Sequence, residues 1–267
     1  MSHWFFPLFL LAFFCGSFPL QKPIRQRAAQ QALLKAREWL QQGELEKAFA
    51  AYDQALQQNP LLADAWYGRG VVRVLQADDE AALADFTHAI KLQPRQSKAF
   101  LARGMIYLEQ QEFVRAFKDF NRAVRWNPYN ARAYHYRGVA RLRQHDLKGV
   151  IADNTRAIQI DLTFAEAWHD RGAAHYLQDR FPEALVDFNE AIKLRPAYAS
   201  AYLNRGLVYL RLGRQEDAEK DFAACLKYDP SLVKRIATLK QTKRSHAPLK
   251  RWRHGLRTVF LTHFATK

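Results

Sequence analysis

Apolar residues fall at helical spacing along most of this chain, and the groups they form recur every 34 residues. The clearest marker is a six-residue string: AWYGRG from Ala65, AFLARG from Ala99, AYHYRG from Ala133, AWHDRG from Ala167 and AYLNRG from Ala201. Six windows carry the period, at 29–62, 63–96, 97–130, 131–164, 165–198 and 199–232. Counting each window from 1, position 8 is small (Ala36, then Gly70, Gly104, Gly138, Gly172 and Gly206). Position 20 is Ala48, Ala82, Ala116, Val150, Ala184 and Ala218. Small residues at these two places let a pair of helices approach closely. Aromatics at position 4 (Trp66, Phe100, Tyr134, Trp168, Tyr202) and position 24 (Tyr52, Phe86, Phe120, Phe188, Phe222) fill the space between neighbours. Position 27 is alanine until Cys225. Proline at position 32 (Pro60, Pro94, Pro128, Pro196, Pro230) ends one unit before the next begins. The pattern predicts a helix A over about positions 1–14 and a helix B over about 15–28. A turn near 14–15 is marked by Gly43 and Gly213.

The Ala-Phe-Ala-Pro string at positions 20, 24, 27 and 32 resembles the tetratricopeptide repeat family over about three quarters of the chain. It fits that family better than the helical-hairpin RNA readers of near-identical period. The resemblance implies an all-α fold: a right-handed α-solenoid, or superhelix, of six helix-turn-helix repeats. It also implies a concave face lined by the A helices that holds a peptide segment of a partner protein. Leu232, Val233, Ile236 and Leu239 share one helical face, which predicts a capping helix over 233–245.

Position 7, commonly aliphatic in that family, is Lys35 and then Arg69, Arg103, Arg137, Arg171 and Arg205. Position 23 is Ala51 and then Asp85, Asp119, Asp153, Asp187 and Asp221. The two columns switch on together in repeat 2, which predicts five structural clips between the helices of each hairpin. A guanidinium suits a carboxylate in a two-pronged bond, and lysine is a poor substitute.

Groove-facing positions on helix A are expected at 2, 5, 9, 12 and 13, and they nominate Tyr67, Leu101, Met105, His135, Val139 and His169 as partner contacts. Some members of the family clamp the C-terminal carboxylate of heat-shock chaperones. That clamp needs Lys, Asn, Asn, Lys and Arg where this chain offers Tyr67, Val71, Ala102, Arg132 and Tyr136, so chaperone-tail binding is disfavoured. His135 and His169, with Glu166 and Asp170 nearby, match groove-lining side chains better than metal ligands. No nucleophile elbow, phosphate loop or Cys-x-x-Cys occurs, so neither an enzyme nor a cofactor or metal is expected. Repeat 4 departs most, with Gly149 and Val150 in helix B, Asn154 for Phe and Leu162 for Pro. A buried Asn there needs a partner; tolerated drift is the favoured reading of the departures, and a local hinge that tunes groove curvature is the sharper alternative.

The net charge of +15 tempts one toward nucleic acid, but its placement argues otherwise. All 26 acidic residues lie between Glu38 and Asp229, against 28 basic residues in the repeats. The excess sits in the flanks. Trp4 to Leu20 is an uncharged apolar run with small residues at Cys15, Gly16 and Ser17, followed by Lys22, Arg25 and Arg27. It predicts a cleaved leader of an exported protein, periplasmic or extracellular, or a membrane anchor, ahead of a basic linker up to residue 28. The tail 246–267 sets Leu249, Trp252, Leu256, Val259, Phe260 and Phe264 on one side and basic residues around the rest, a basic amphipathic segment suited to a membrane surface. The expected function is a non-enzymatic scaffold for a partner protein's segment, without specific nucleic acid. The alternative is a membrane-associated assembly factor acting mainly through the tail.

Overall fold

The computed structural model describes residues 21–244; the apolar run at 4–20 and the tail at 246–267 lie outside the described residues. Thirteen α-helices and no strand occur among the described residues. They form two compact units, divided after Gln93. The first holds α1 (Gln21–Gln41), α2 (Leu45–Gln58), α3 (Ala63–Leu75) and α4 (Asp79–Leu92). The second holds α5 (Ser97–Glu109), α6 (Phe113–Trp126), α7 (Ala131–Arg143), α8 (Leu147–Ile160), α9 (Ala165–Leu177), α10 (Phe181–Leu194), α11 (Ala199–Arg211), α12 (Gln215–Tyr228) and α13 (Val233–Arg244). Within each unit every helix up to α12 packs on the next in sequence, and a short turn at Pro230–Leu232 leads into α13, the solenoid arrangement of consecutive helix pairs.

The hairpin differs from the predicted one in its turn. Helix A spans positions 1–13 in repeats 2 to 6, but helix B spans 17–30, starting and ending two residues late. The cause is a left-handed residue at position 15 in all six repeats. It is glycine only at Gly43 and Gly213; Ala77, Gln111, His145 and Asp179 adopt φ of 60° to 64° there. That residue closes the end of helix A, with the following amide bonding five residues back, as in Asp78 N–H to the Arg73 carbonyl at 2.9 Å. Position 16 then caps helix B, by a side-chain carboxylate in Asp78 and Asp146. A second difference is at the N-terminus. Residues 21–28, expected as linker, belong to α1.

Close approach at position 8 has a specific cause. A Cβ on Gly70 would lie 2.7 Å from the Phe86 ring, and one on Gly104 would lie 2.7 Å from Phe120. Each glycine therefore receives the fully buried position-24 ring of its own hairpin. Alanines at positions 20 and 27 complete the seam with no exposed surface. Burial pushes the Cys225 thiol up to about 11, so it stays protonated at neutral pH and serves as a small core residue. At the junctions the indole N–H of Trp66 donates to the Pro60 carbonyl at 2.7 Å, and that of Trp168 donates to the Leu162 carbonyl at 3.0 Å. The junction contact at position 32 thus survives without proline.

Left-handed geometry costs a residue with a Cβ about 1 kcal/mol. The exposed Gln111 and Ala77 should therefore be improved by glycine, Gln111→Gly and Ala77→Gly each raising the melting temperature by roughly 2–4 °C. Thermal unfolding followed by circular dichroism checks this, and an unchanged or lower midpoint would show that the turn is unstrained.

Candidate functional site

The five arginines at position 7 are built into the hairpins. In every case Nε and Nη2 reach the two carboxylate oxygens of the aspartate sixteen residues on. The two bonds measure 3.0 and 2.9 Å for Arg69–Asp85, and 2.7 and 2.9 Å for Arg103–Asp119. Arg137 Nε is 3.0 Å and Nη2 2.5 Å from Asp153; the pairs are 2.9 and 2.7 Å for Arg171–Asp187, and 2.8 and 2.7 Å for Arg205–Asp221. The aspartate side chains are 1–8% exposed and the arginines 11–19%. The hydrogen bonds it donates to Asp221 hold the Arg205 guanidinium further above its ordinary range, against the burial that lowers it.

The third guanidinium nitrogen does something the sequence spacing did not suggest. Nη1 reaches back sixteen residues to helix B of the preceding repeat. Arg69 bonds Asp53 at 2.6 Å, Arg137 bonds Asn121 at 2.8 Å, Arg171 bonds the Thr155 hydroxyl at 3.2 Å, and Arg205 bonds Asn189 at 2.7 Å. The signal was present at position 25, which carries a side-chain oxygen in repeats 1 to 5 and becomes Ala223 in repeat 6, where no repeat arginine follows. Each guanidinium also lies over the position-4 ring of its own helix. The distances to the ring centroid are 4.8 Å for Trp66 and Trp168, 5.2 Å for Tyr134, 5.5 Å for Tyr202 and 5.9 Å for Phe100. Three helix surfaces thus converge on one side chain. Arg73 and Arg141, one turn on, add a second cation to Asp85 (2.9 Å) and Asp153 (3.2 Å).

The nominated groove residues separate into two groups. Leu101 and Met105 on α5 are half-buried, and with Leu108 and Tyr136 they pack on the Ala116, Phe120 and Ala140 core as a partly open apolar and aromatic patch. Exposed Lys98 and Arg132 stand one turn before Ala102 and Tyr136 on the same helices. In the first unit Tyr67 is half-buried, 5.7 Å from the Phe86 ring, and burial raises its phenol. His135, Val139 and His169 are corrected: at 4, 2 and 3% exposure they belong to the core rather than to an open surface. Bulky rings at the starts of the next A helices help close them: Phe164 lies 5.0 Å from the His135 ring and Tyr198 4.9 Å from the His169 ring.

The two histidines sit in a polar network inside that core. His135 Nδ1 is 3.3 Å from Asn154 Oδ1, and Asn154 donates to the Val150 carbonyl at 3.0 Å. His169 Nδ1 is 2.9 Å from Asp170, while Asn204 Nδ2 meets its Nε2 at 2.8 Å. Both ring nitrogens of His169 are thus engaged within the core. Glu166 turns to Arg195 at 2.5 Å. No group of three or more metal-ligating side chains is found among the described residues. Asn154 therefore replaces a core phenylalanine with a satisfied polar contact. At Gly149, a Cβ would fall 2.1 Å from the Asp146 carboxylate that caps α8, and the helix continues unbroken through it.

Comparison with known proteins agrees with this geometry. Family models described as TPR repeat match residues 36–77 and 176–213, and models described as tetratricopeptide repeat match 78–131 and 199–232. The chain belongs to the tetratricopeptide repeat family, generally a non-catalytic interaction fold. No curated protein sequence matches it. Among solved structures, pilF of Pseudomonas aeruginosa is 15% identical, with a TM-score of 0.72 over 81% of this chain and 99% of that one. YrrB, a TPR protein with an unusual peptide-binding site, is 20% identical, with a TM-score of 0.62 over 71% and 98%. PilW, a type IV pilus biogenesis factor, is 17% identical, with a TM-score of 0.63 over 78% and 94%. Identities this low establish a shared fold.

Two outcomes test the network and the frame. Changing His135 to Leu strands the Asn154 amide and should cost about 1–3 kcal/mol, whereas His135→Leu with Asn154→Phe should be near neutral, since both partners become apolar. Arg137→Lys keeps the charge but cannot reach Asp153 twice and Asn121 once, so it should cost about 1–3 kcal/mol. Urea denaturation measures both; a harmless Arg137→Lys would show that charge alone suffices.

Proposed function

We propose that the protein is a non-enzymatic scaffold that seats a segment of a partner protein on the A helices of repeats 3 and 4. The observation that carries this reading is the partly open patch of Leu101, Met105, Leu108 and Tyr136 in a unit whose positions 5 and 9 on α7, α9 and α11 are closed. Ala102 adds a small floor beside it, and Lys98 and Arg132 supply cations at the edge. The patch is apolar enough to bury one or two side chains of a bound segment, at about 25 cal/mol for each Å² covered. The edge cations would orient it. YrrB, of like fold, is described with a peptide-binding site, which supports the class of ligand. The five frame arginines are not part of this surface, because their donors are already engaged within the stack.

The second reading is a membrane-associated assembly factor working through the tail at 246–267, supported by the basic and apolar sides of that segment. No helix of the described residues is long and apolar enough to cross a membrane. Salt separates the two, because tail contacts to anionic lipid weaken steeply on adding salt and apolar burial does not.

Leu101→Asp with Met105→Asp should abolish capture of the partner; both side chains pack on the core, so the melting temperature should fall, and circular dichroism at the capture temperature verifies that the array stays helical. Deleting 246–267 should leave capture intact. Partner recovery by affinity purification and mass spectrometry with both forms checks this; partners lost with the tail and kept by the patch variant would overturn the reading.

A further inference from the structure

Charge is unevenly distributed inside the array. Repeats 3 and 4 hold 12 basic against six acidic residues, whereas repeats 1 and 2 hold seven against nine, and repeats 5 and 6 nine against 11. Helices α6 and α7 carry the excess, but α7 turns Arg137 and Arg141 to Asp153, while α6 presents its cations to solvent. On α6, Arg115, Lys118, Arg122 and Arg125 are exposed at spacings of three, four and three residues, a single helical face about 15 Å long. Arg115 pairs with Glu112 at 2.8 Å, while Lys118, Arg122 and Arg125 make no ion pair within the described residues. The matching positions of α10 are Glu183, Val186, Glu190 and Lys193. Exposed Lys148 on α8 and half-buried Arg156 extend the positive area to the next helix B.

Two further features make this a binding face and not merely a solvated one. Apolar groups stand exposed at both ends, Val114 at 62% and Tyr129 at 78%. Near Tyr129, the guanidinium groups of Arg95 and Arg125 each lie 5.3 Å from the Trp126 ring, a contact that favours this placement of both arginines. Like charges at this spacing repel one another along the helix. The face therefore lowers the stability of α6 unless anions cover it.

We propose that the outer face of α6 is a second docking surface, separate from the A-helix patch, and that it takes an acidic helical segment of a protein. The occupant carries Asp or Glu at spacings of three and four, opposite the four cations, with an apolar residue at one or both ends against Val114 and Tyr129. Arginine predominates in the row, and its planar fork grips a carboxylate with two bonds. The narrowness of the strip favours a single segment. A lipid plane or a long nucleic acid would extend past it onto α10, where Glu183 and Glu190 pair with Arg180 and Lys193 and leave no row of free cations for phosphate. With a patch on the A helices and a strip on helix B, the array can hold two protein segments at once.

The test uses the full chain and a fluorescein-labelled glutamate-rich helical peptide, read by anisotropy, with phosphatidylglycerol vesicles and oligouridylate as parallel probes. Lys118→Gln, Arg122→Gln and Arg125→Gln combined should weaken peptide binding by about tenfold or more. Because repulsion is removed, the same variant should melt at an equal or higher temperature, which separates lost binding from lost folding. Met105→Asp should bind the peptide as the native chain does. Carbodiimide coupling should place the peptide on Lys118 and Lys148. Native affinity in the triple variant, coupling confined to 233–267, or a loss no greater for peptide than for vesicles or RNA would each overturn the proposal.

Discussion

One partly buried arginine in each of repeats 2 to 6 organises this stack. Each guanidinium bonds both oxygens of an aspartate in its own hairpin, in four repeats reaches a side-chain oxygen on the preceding helix B, and lies over an aromatic ring one turn back. The seam around it is made of alanine, glycine and flat rings, surfaces that slide past one another at little cost. A two-pronged bond with a third anchor does not slide. Such buried ion pairs add little over a well-packed apolar pair, since desolvation offsets most of the attraction. Their main effect is to set the register between helices and the spacing of successive hairpins. The first repeat, with Lys35, Ala32 and Ala51 at the three corresponding places, lacks the arrangement and has a longer helix α1 instead.

This division of labour decides which surfaces are free to bind. The arginines that first suggest anion recognition are occupied, and the histidines of α7 and α9 are enclosed with Asn154, Asp170 and Asn204. What stays open on the A helices of repeats 3 and 4 is apolar and aromatic. What stays open on α6 is cationic. The two surfaces differ in chemistry because they answer to different sides of the hairpin, and only the cationic one should respond strongly to salt.

Most of the fold was legible because the period repeats six times, so each slot could be read as a column. Arginine and aspartate could be matched by their joint absence from repeat 1. The third bond of the arginine was missed because its partners are chemically mixed, Asp53, Asn121, Thr155 and Asn189, and share only an oxygen. The length of the turn was missed for a related reason: left-handed backbone is advertised by glycine, and four repeats adopt it with other residues. Assignment of groove residues failed at His135, Val139 and His169 because facing the next A helix and facing solvent occupy the same positions in the repeat. How far apart the helices stand decides between them, and that distance is set by bulk elsewhere, such as Tyr198 against the His169 ring at 4.9 Å.

The account rests most heavily on the double role of the arginine, and paired double-mutant cycles on Arg171 address it directly. One cycle pairs it with Asp187 in its own hairpin and the other with Thr155 in the preceding one, each measured by equilibrium unfolding. Coupling energies of about 0.5–3 kcal/mol are expected in both cycles, with the larger value for Asp187. Zero coupling to Asp187 would contradict the frame altogether, and zero coupling to Thr155 would confine the arginine to its own hairpin.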